Sequence, residues 1–256
     1  MLFSPQAYIG VDLTKGKKTI FYAAMDASLD LIARTQGDYN SVMTFLAGQQ
    51  QAVIGIHGPA RPNMGILVNS ERRTRYLIQM GKGRPGNMRV AEYTLRKNKL
   101  NVYRTPEQPE DASAWMQASF KFYARLSEID YQEYQPESVN TKQFIEVIPE
   151  HGFRSWTDGK MLPANTLYGR IQRQLILYEQ GLNVPDPMTF FEEVTRFRIK
   201  QGILPEEMVF PAPSLSALAA ALMAFQAEKD PEQFTLVGIP EESQICVPKN
   251  LVHTVE

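Results

Sequence analysis

The chain has 256 residues, a formal net charge of −1, 43% hydrophobic and 21% charged residues, and a pI near 6.4. This balance suits one large α/β domain with an ordinary core, and it excludes disorder and a whole-protein attraction to nucleic acid. The lone Cys246 excludes a disulfide framework and a cysteine metal cluster, and a histidine-only zinc site would need all of His57, His151 and His253. The start of the chain carries no basic-apolar-small signal pattern and no apolar run reaches membrane-spanning length, so the expectation is a cytoplasmic protein with no membrane partner.

In chain order, residues 7–13, 19–25 and 29–35 read as three strands joined by the short turns Lys15-Gly16-Lys17-Lys18 and Asp26-Ala27-Ser28, an antiparallel meander. Asp38 then caps a helix over residues 39–50, with Val42, Phe45 and Leu46 on one face. Residues 52–56 are nearly all apolar, as a parallel strand buried on both sides should be. Between Pro59 and Pro106 the pattern loosens and turns basic, with glycines at 81, 83 and 86. A long helix follows over residues 112–128, with Asp111 as its cap, and a polar connection leads to a strand carrying Glu146. Helices are expected over residues 152–157, 167–180 (closed by Gly181), 188–199 and 214–229, and residues 234–239 and 244–247 read as a hairpin. The apolar runs 115–122 and 215–225 read as core.

The fold class is therefore α/β, with a mixed sheet of antiparallel strands 1–3 and parallel strands 4–5 flanked by helices. This is the order of the ribonuclease H-like fold, here one domain over residues 1–256 with a basic insertion around 60–106 and a C-terminal hairpin. The same meander opens each half of the actin-like sugar-kinase fold, and the Gly10-to-Thr14 run faintly echoes a phosphate-binding turn of that class. The glycine after the aspartate and a second glycine-rich turn that an actin-like phosphotransferase needs are missing.

Asp12, at the end of the first strand, is a carboxylate whose burial needs a cation or donors to offset it. It is either a site residue or an acceptor for the backbone of the turn that follows. His57 ends the fourth strand as a metal ligand or a hydrogen-bonded core histidine. Glu146 either joins the site or pairs with Arg170 or Arg173, and His151 reads as a helix-entry residue. From Arg72 to Arg104 lie Arg72, Arg73, Arg75, Lys82, Arg84, Arg89, Arg96, Lys97, Lys99 and Arg104, against Glu92 alone. Such local charge can bind phosphates, with Arg72, Arg73, Arg89 and Arg96 as candidates, or it can pair with the acidic segment 107–137. Arg89, Glu92 and Arg96 share a helical face, so Arg89–Glu92 is a surface ion pair or a device that aims an arginine at the site. Gly81-x-Gly83-x-x-Gly86 lacks the preceding strand of a dinucleotide fingerprint.

Several stretches in order resemble the family of uncharacterised bacterial and archaeal proteins predicted to be nucleases of ribonuclease H-like fold. They are Ile9-Gly10-Val11-Asp12, Arg89-Val90-Ala91-Glu92 with Arg96, Ile145-Glu146-Val147-Ile148-Pro149, Gly169-Arg170-Ile171-Gln172-Arg173, the small-residue helix 216–224, and Val237-Gly238-Ile239-Pro240-Glu241-Glu242 with Ile245 and Pro248. The resemblance implies metal-dependent phosphodiester hydrolysis, with Asp12, His57 and Glu146 as catalytic and metal-ligating residues. It departs from the family at two places: His57 and Ser216 stand where the family has aspartates. Two-metal chemistry needs ions about 3.5–4 Å apart, held by clustered carboxylates, and a histidine ligand favours manganese, zinc or iron over magnesium. The implied activity is thus a weakened or manganese-dependent nuclease. The alternative is a non-catalytic nucleic-acid- or protein-binding module on the same fold.

Overall fold

The computed structural model describes residues 6–16, 18–78, 86–136 and 138–252. Lys17 of the first turn, Gly81, Lys82, Gly83 and Arg84 of the basic loop, Glu137 and His253 lie outside them.

Three strands, β1 (Ala7–Asp12), β2 (Ile20–Met25) and β3 (Leu31–Gly37), form the antiparallel meander, followed by α1 (Tyr39–Ala47) and β4 (Ala52–His57). The basic region holds α2 (Ser70–Arg75) and α3 (Val90–Lys97). Next come α4 (Ala114–Glu128), β5 (Gln132–Glu133), β6 (Lys142–Val147), α5 (Pro149–Ser155), α6 (Leu167–Glu179), α7 (Thr189–Glu193), α8 (Arg196–Lys200), α9 (Ala212–Lys229), β7 (Phe234–Val237) and β8 (Ile245–Pro248). They make a mixed eight-stranded sheet in the order β3-β2-β1-β4-β6-β8-β7, with β5 alongside β6. β4 runs parallel to β1 and to β6, and β8 parallel to β6. The C-terminal pair β7–β8 is antiparallel and extends the main sheet rather than standing apart.

Local chemistry sets most of these limits. The Asp38 side chain accepts from Ser41 N–H at 2.8 Å and starts α1. Thr166 does the same for α6 through Gly169 N–H, and Gly181, at φ +84°, closes it. Asp111 does not cap α4: it lies in a 3₁₀ turn, and Ser113 occupies the cap position. The single helix expected over 188–199 is instead α7 and α8, broken where Val194 turns to extended backbone (ψ 93°).

α1 and α4 cover one face of the sheet, while α5, α6 and α9 cover the other. α9 is central, and Leu215, Ala217 to Ala224 and Ala227 are all buried. Each fully buried leucine there contributes about 2 kcal/mol of transfer free energy. Contrary to the expectation that no apolar run is long enough to span a membrane, the helical stretch Glu206–Lys229 passes by length and composition; most of it is buried inside this core.

Two glycines let α9 sit directly on the strands. A Cβ at Gly10 of β1 would lie 1.8 Å from the Ala217 carbonyl oxygen, and one at Gly55 of β4 would lie 2.1 Å from that of Ala220. Neighbouring residues in register share a face, and alternate residues along a strand do too. Gly10 and Asp12 therefore face α9, as do Gly55 and His57.

Candidate functional site

Asp12 and His57 are direct partners across β1 and β4. Asp12 is 3% exposed. Its Oδ1 accepts from the Thr14 backbone N–H at 2.9 Å and the Thr14 hydroxyl at 2.6 Å, and lies 3.5 Å from His57 Nδ1. Asp12 thus takes the turn-acceptor role and contacts His57 with the same oxygen. Burial pushes the Asp12 carboxyl up, but the contact and charge of His57 and the two Thr14 hydrogen bonds outweigh it and bring the pKa down to about 2. Ser216, presented by α9, places Oγ 3.4 Å from the same His57 Nδ1. A serine nucleophile needs serine and aspartate on opposite ring nitrogens; here both meet one nitrogen, so no such relay forms.

These side chains border a cleft of about 170 Å³, lined also by Thr14, Lys15, Phe153, Glu150, Asn165 and Arg173. A second cavity of about 360 Å³ lies beyond His57 and Glu150, which line both, and is bounded by Tyr103, His151 and Arg154. Glu150 and Arg173 pair at 2.8 Å. Arg173 belongs to the resembling run 169–173 but is expected there only as a partner of Glu146, and the sequence does not single out Glu150. A signal for Arg173 exists: it stands between Gly169 and Ile176 on the apolar stripe of α6, where an unpartnered charge would be costly.

Glu146 does not join Asp12 and His57. Its register partner is Ile56, so it points to the opposite face of the sheet, toward α4. There it is 2% exposed. It accepts from Ala60 N–H at 2.8 Å, Tyr103 OH at 2.6 Å and Arg89 Nη1 at 2.9 Å, with a further short contact to Arg89 Nη2. Its arginine partner is Arg89, not Arg170 or Arg173; Arg170 pairs instead with Glu206. The expected three-residue metal site is therefore split across the sheet. Among the described residues no cluster of three or more His, Cys, Asp or Glu side chains could hold a metal ion. The magnesium or manganese pair implied by the resemblance does not fit these donors.

The phosphate-binding assignment needs correction too. Arg89 is fully buried, and Glu92 accepts from its backbone N–H at 3.2 Å and its Nε at 3.0 Å at the start of α3, so the pair is neither on the surface nor aimed at the cleft. Glu92 also accepts from Thr105 N–H at 2.9 Å. Burial alone would lower the Arg89 pKa, but Glu146 first and Glu92 after it hold it well above its ordinary value. Arg96 is half-buried and bonds the Val102 carbonyl. Arg73 bonds the Leu67 carbonyl at 2.6 Å and Arg72 that of Met64. Arg72 and Arg75 remain at the surface. The acidic segment is reached instead by Arg61, 3.2 Å from Glu133.

His151 is 1% exposed, and Nε2 lies 2.9 Å from the Asn101 carbonyl. That acceptor fixes the proton on Nε2, and Nδ1 is buried without a hydrogen-bond partner in the described residues. Burial lowers the pKa to about 4, against the Asn101 bond and with help from Arg154 and His57. The unfolded chain takes this proton near pH 6.5 and the folded chain only near 4. Stability is thus complete above pH 6.5 and falls by about 3 kcal/mol as pH drops through that window. Urea unfolding at pH 7 and pH 4.5 should show the loss, and His151→Gln, which keeps the donor to Asn101, should flatten it.

The chain matches no protein-family model, no curated protein and no solved structure.

Proposed function

We propose that the protein is a ribonuclease H-like homologue that holds a nucleic-acid strand at the Asp12–His57 edge of its sheet without two-metal hydrolysis. The fold half of this reading is supported by the meander, the parallel β4 and β6, and the carboxylate-bearing β1 lying next to β4. The loss of hydrolysis rests on one observation: Asp12 and Glu146 lie on opposite faces, and Glu146 is saturated by Arg89, Tyr103 and Ala60. A clamp for two ions needs its carboxylates converging on one point. Strand binding is supported by Lys15 and Arg173 in the cleft and by Arg72, Arg75, Lys97, Lys99 and Arg104 at the surface of the basic segment.

A labelled panel of single-stranded, duplex, branched and hybrid nucleic acids tests this, with magnesium and with manganese. The expected result is no cleavage above the Asp12→Asn background, together with binding by anisotropy that weakens as salt rises. Cleavage that disappears in Asp12→Asn overturns the loss of hydrolysis; absence of binding across the panel overturns the nucleic-acid reading.

A second reading keeps hydrolysis on one ion. Asp12 Oδ1 and Ser216 Oγ lie 3.5 and 3.4 Å from His57 Nδ1, close to the roughly 3.0–3.4 Å separating two ligands that each sit about 2.1 Å from one metal. Manganese-only cleavage lost in both Asp12→Asn and His57→Ala favours it.

A further inference from the structure

The cleft beside Asp12 contains a buried cation whose anionic partner is at the mouth. Arg173 is fixed from behind: Nη1 donates to the Leu162 carbonyl at 2.9 Å and the Gly169 carbonyl at 3.0 Å, and the guanidinium carbon sits 5.5 Å from the Phe153 ring centre. Only Nη2 meets Glu150, and it carries both hydrogen bonds at 2.8 Å. The strongest arginine–carboxylate pairs instead use two parallel bonds from two nitrogens. The Arg173 side chain is 4% exposed and that of Glu150 43%. The guanidinium is thus part of the wall, while the carboxylate can swing into solvent and leave it facing the cleft.

The remaining lining gives the ligand its character. Lys15 adds a second positive charge, and Thr14, Asn165 and Ser216 add neutral polar groups. Pro149, Ala164, Ala212 and Pro213 with Phe153 make the rest of the wall apolar. Asp12 stays ionised and repels an anion from the sheet edge, so an anion seats toward Arg173. The volume of about 170 Å³ is below the roughly 300–1,000 Å³ that encloses a drug-sized ligand. It admits an end group and leaves the rest of a larger molecule outside.

We infer that Arg173 anchors a terminal phosphate of a nucleic-acid strand, and that Glu150 occupies that place as an internal stand-in until the phosphate displaces it. This rests on the nucleic-acid reading above and assigns the part of the strand that enters the cleft.

Anisotropy with one single-stranded oligonucleotide, made with a 5′-phosphate, with a 3′-phosphate and with hydroxyls at both ends, tests the inference on the full chain. The wild type should prefer a phosphorylated strand about tenfold, the equivalent of about 1.4 kcal/mol. Glu150→Ala should widen that preference, because it removes the competing carboxylate, whereas a merely structural ion pair predicts no gain. Arg173→Gln should erase the preference, so that phosphorylated and unphosphorylated strands bind equally; Arg173→Lys, with its thermal unfolding measured alongside, guards against a folding defect. Equal binding of phosphorylated and unphosphorylated strands by wild type and Glu150→Ala overturns the inference and leaves the nucleic-acid reading standing. Failure to bind any of the strands overturns both. At constant ionic strength, inorganic phosphate should erase the preference while the unphosphorylated strand stays bound; a preference that survives saturating phosphate overturns the assignment to Arg173.

Discussion

Arg89→Met should lower stability at neutral pH by about 3–5 kcal/mol, the loss seen when one partner of a buried ion pair is removed. Arg89 is the sole cation bonded to both Glu146 and Glu92 among the described residues, and both carboxylates are fully enclosed with it. Methionine fills much of the volume but leaves two buried negative charges to be held by Tyr103, Thr105 and backbone N–H groups. The sign of the pH response is diagnostic. A buried carboxylate without its cation favours the protonated form, so its folded pKa rises above the unfolded value near 4.3. The variant should therefore recover stability as pH falls toward that value and lose it as pH rises. Urea midpoints of wild type and variant at pH 5 and pH 7.5 should converge at the lower pH. A gap that stays constant with pH would mean that lost packing, not orphaned charge, sets the effect. With total stabilities of about 5–15 kcal/mol, the change is large enough to unfold a marginal chain.

Gly10→Ala should be nearly as damaging, although it adds one methyl group. Ordinary overpacking costs about 1–3 kcal/mol because side chains give way. At Gly10 the obstacles are the Ala217 carbonyl at 1.8 Å and the Ala221 nitrogen at 2.5 Å, both helix backbone. Truncating Ala217 cannot relieve them, so α9 must shift as a body. The expected loss is at least about 3 kcal/mol, a fall in Tm of about 10 °C for a chain of this size. Gly16→Ala is the useful comparison. Nothing lies within 4 Å of its added Cβ, but its φ of +91° strains any side chain, for a cost of about 1–2 kcal/mol. If Gly10→Ala proves no worse than Gly16→Ala, the helix is not seated as tightly as described.

Much of the architecture was legible because its signals are local. Asp38 before Val42, Phe45 and Leu46 marks a capped helix, and the short turns among residues 7–35 mark a meander. The face on which Glu146 lies was not legible. Phe144, Ile145 and Val147 are apolar on both sides of the strand, so β6 has no two-residue alternation to orient it. Only pairing with β4, which sets Glu146 opposite Ile56, decides the face. A usable clue was present in β1 and β4, where Gly10-x-Asp12 and Gly55-x-His57 repeat one spacing. Set against the alanines at 217, 220, 221 and 224, it identifies a strand face pressed against a helix, with Asp12 and His57 at its open end. The burial of Arg89 was hidden for another reason: three of its partners come from Glu92, Glu146 and Glu242, which chain order does not bring together.

The seating of α9 on the two glycines also constrains the order of events during synthesis. Tyr8 of β1 meets Glu228 of α9 across 220 positions of sequence. At translation rates of roughly 5–20 residues per second, the first strands wait some tens of seconds for the helix that covers them. In that interval Tyr8, Ala23, Met25 and Val53, all of which end in the core that α9 completes, have no permanent neighbour on that side. The nascent chain thus carries a long-lived adhesive surface on its first strands, and its yield in the cell depends on what shields that surface until α9 emerges.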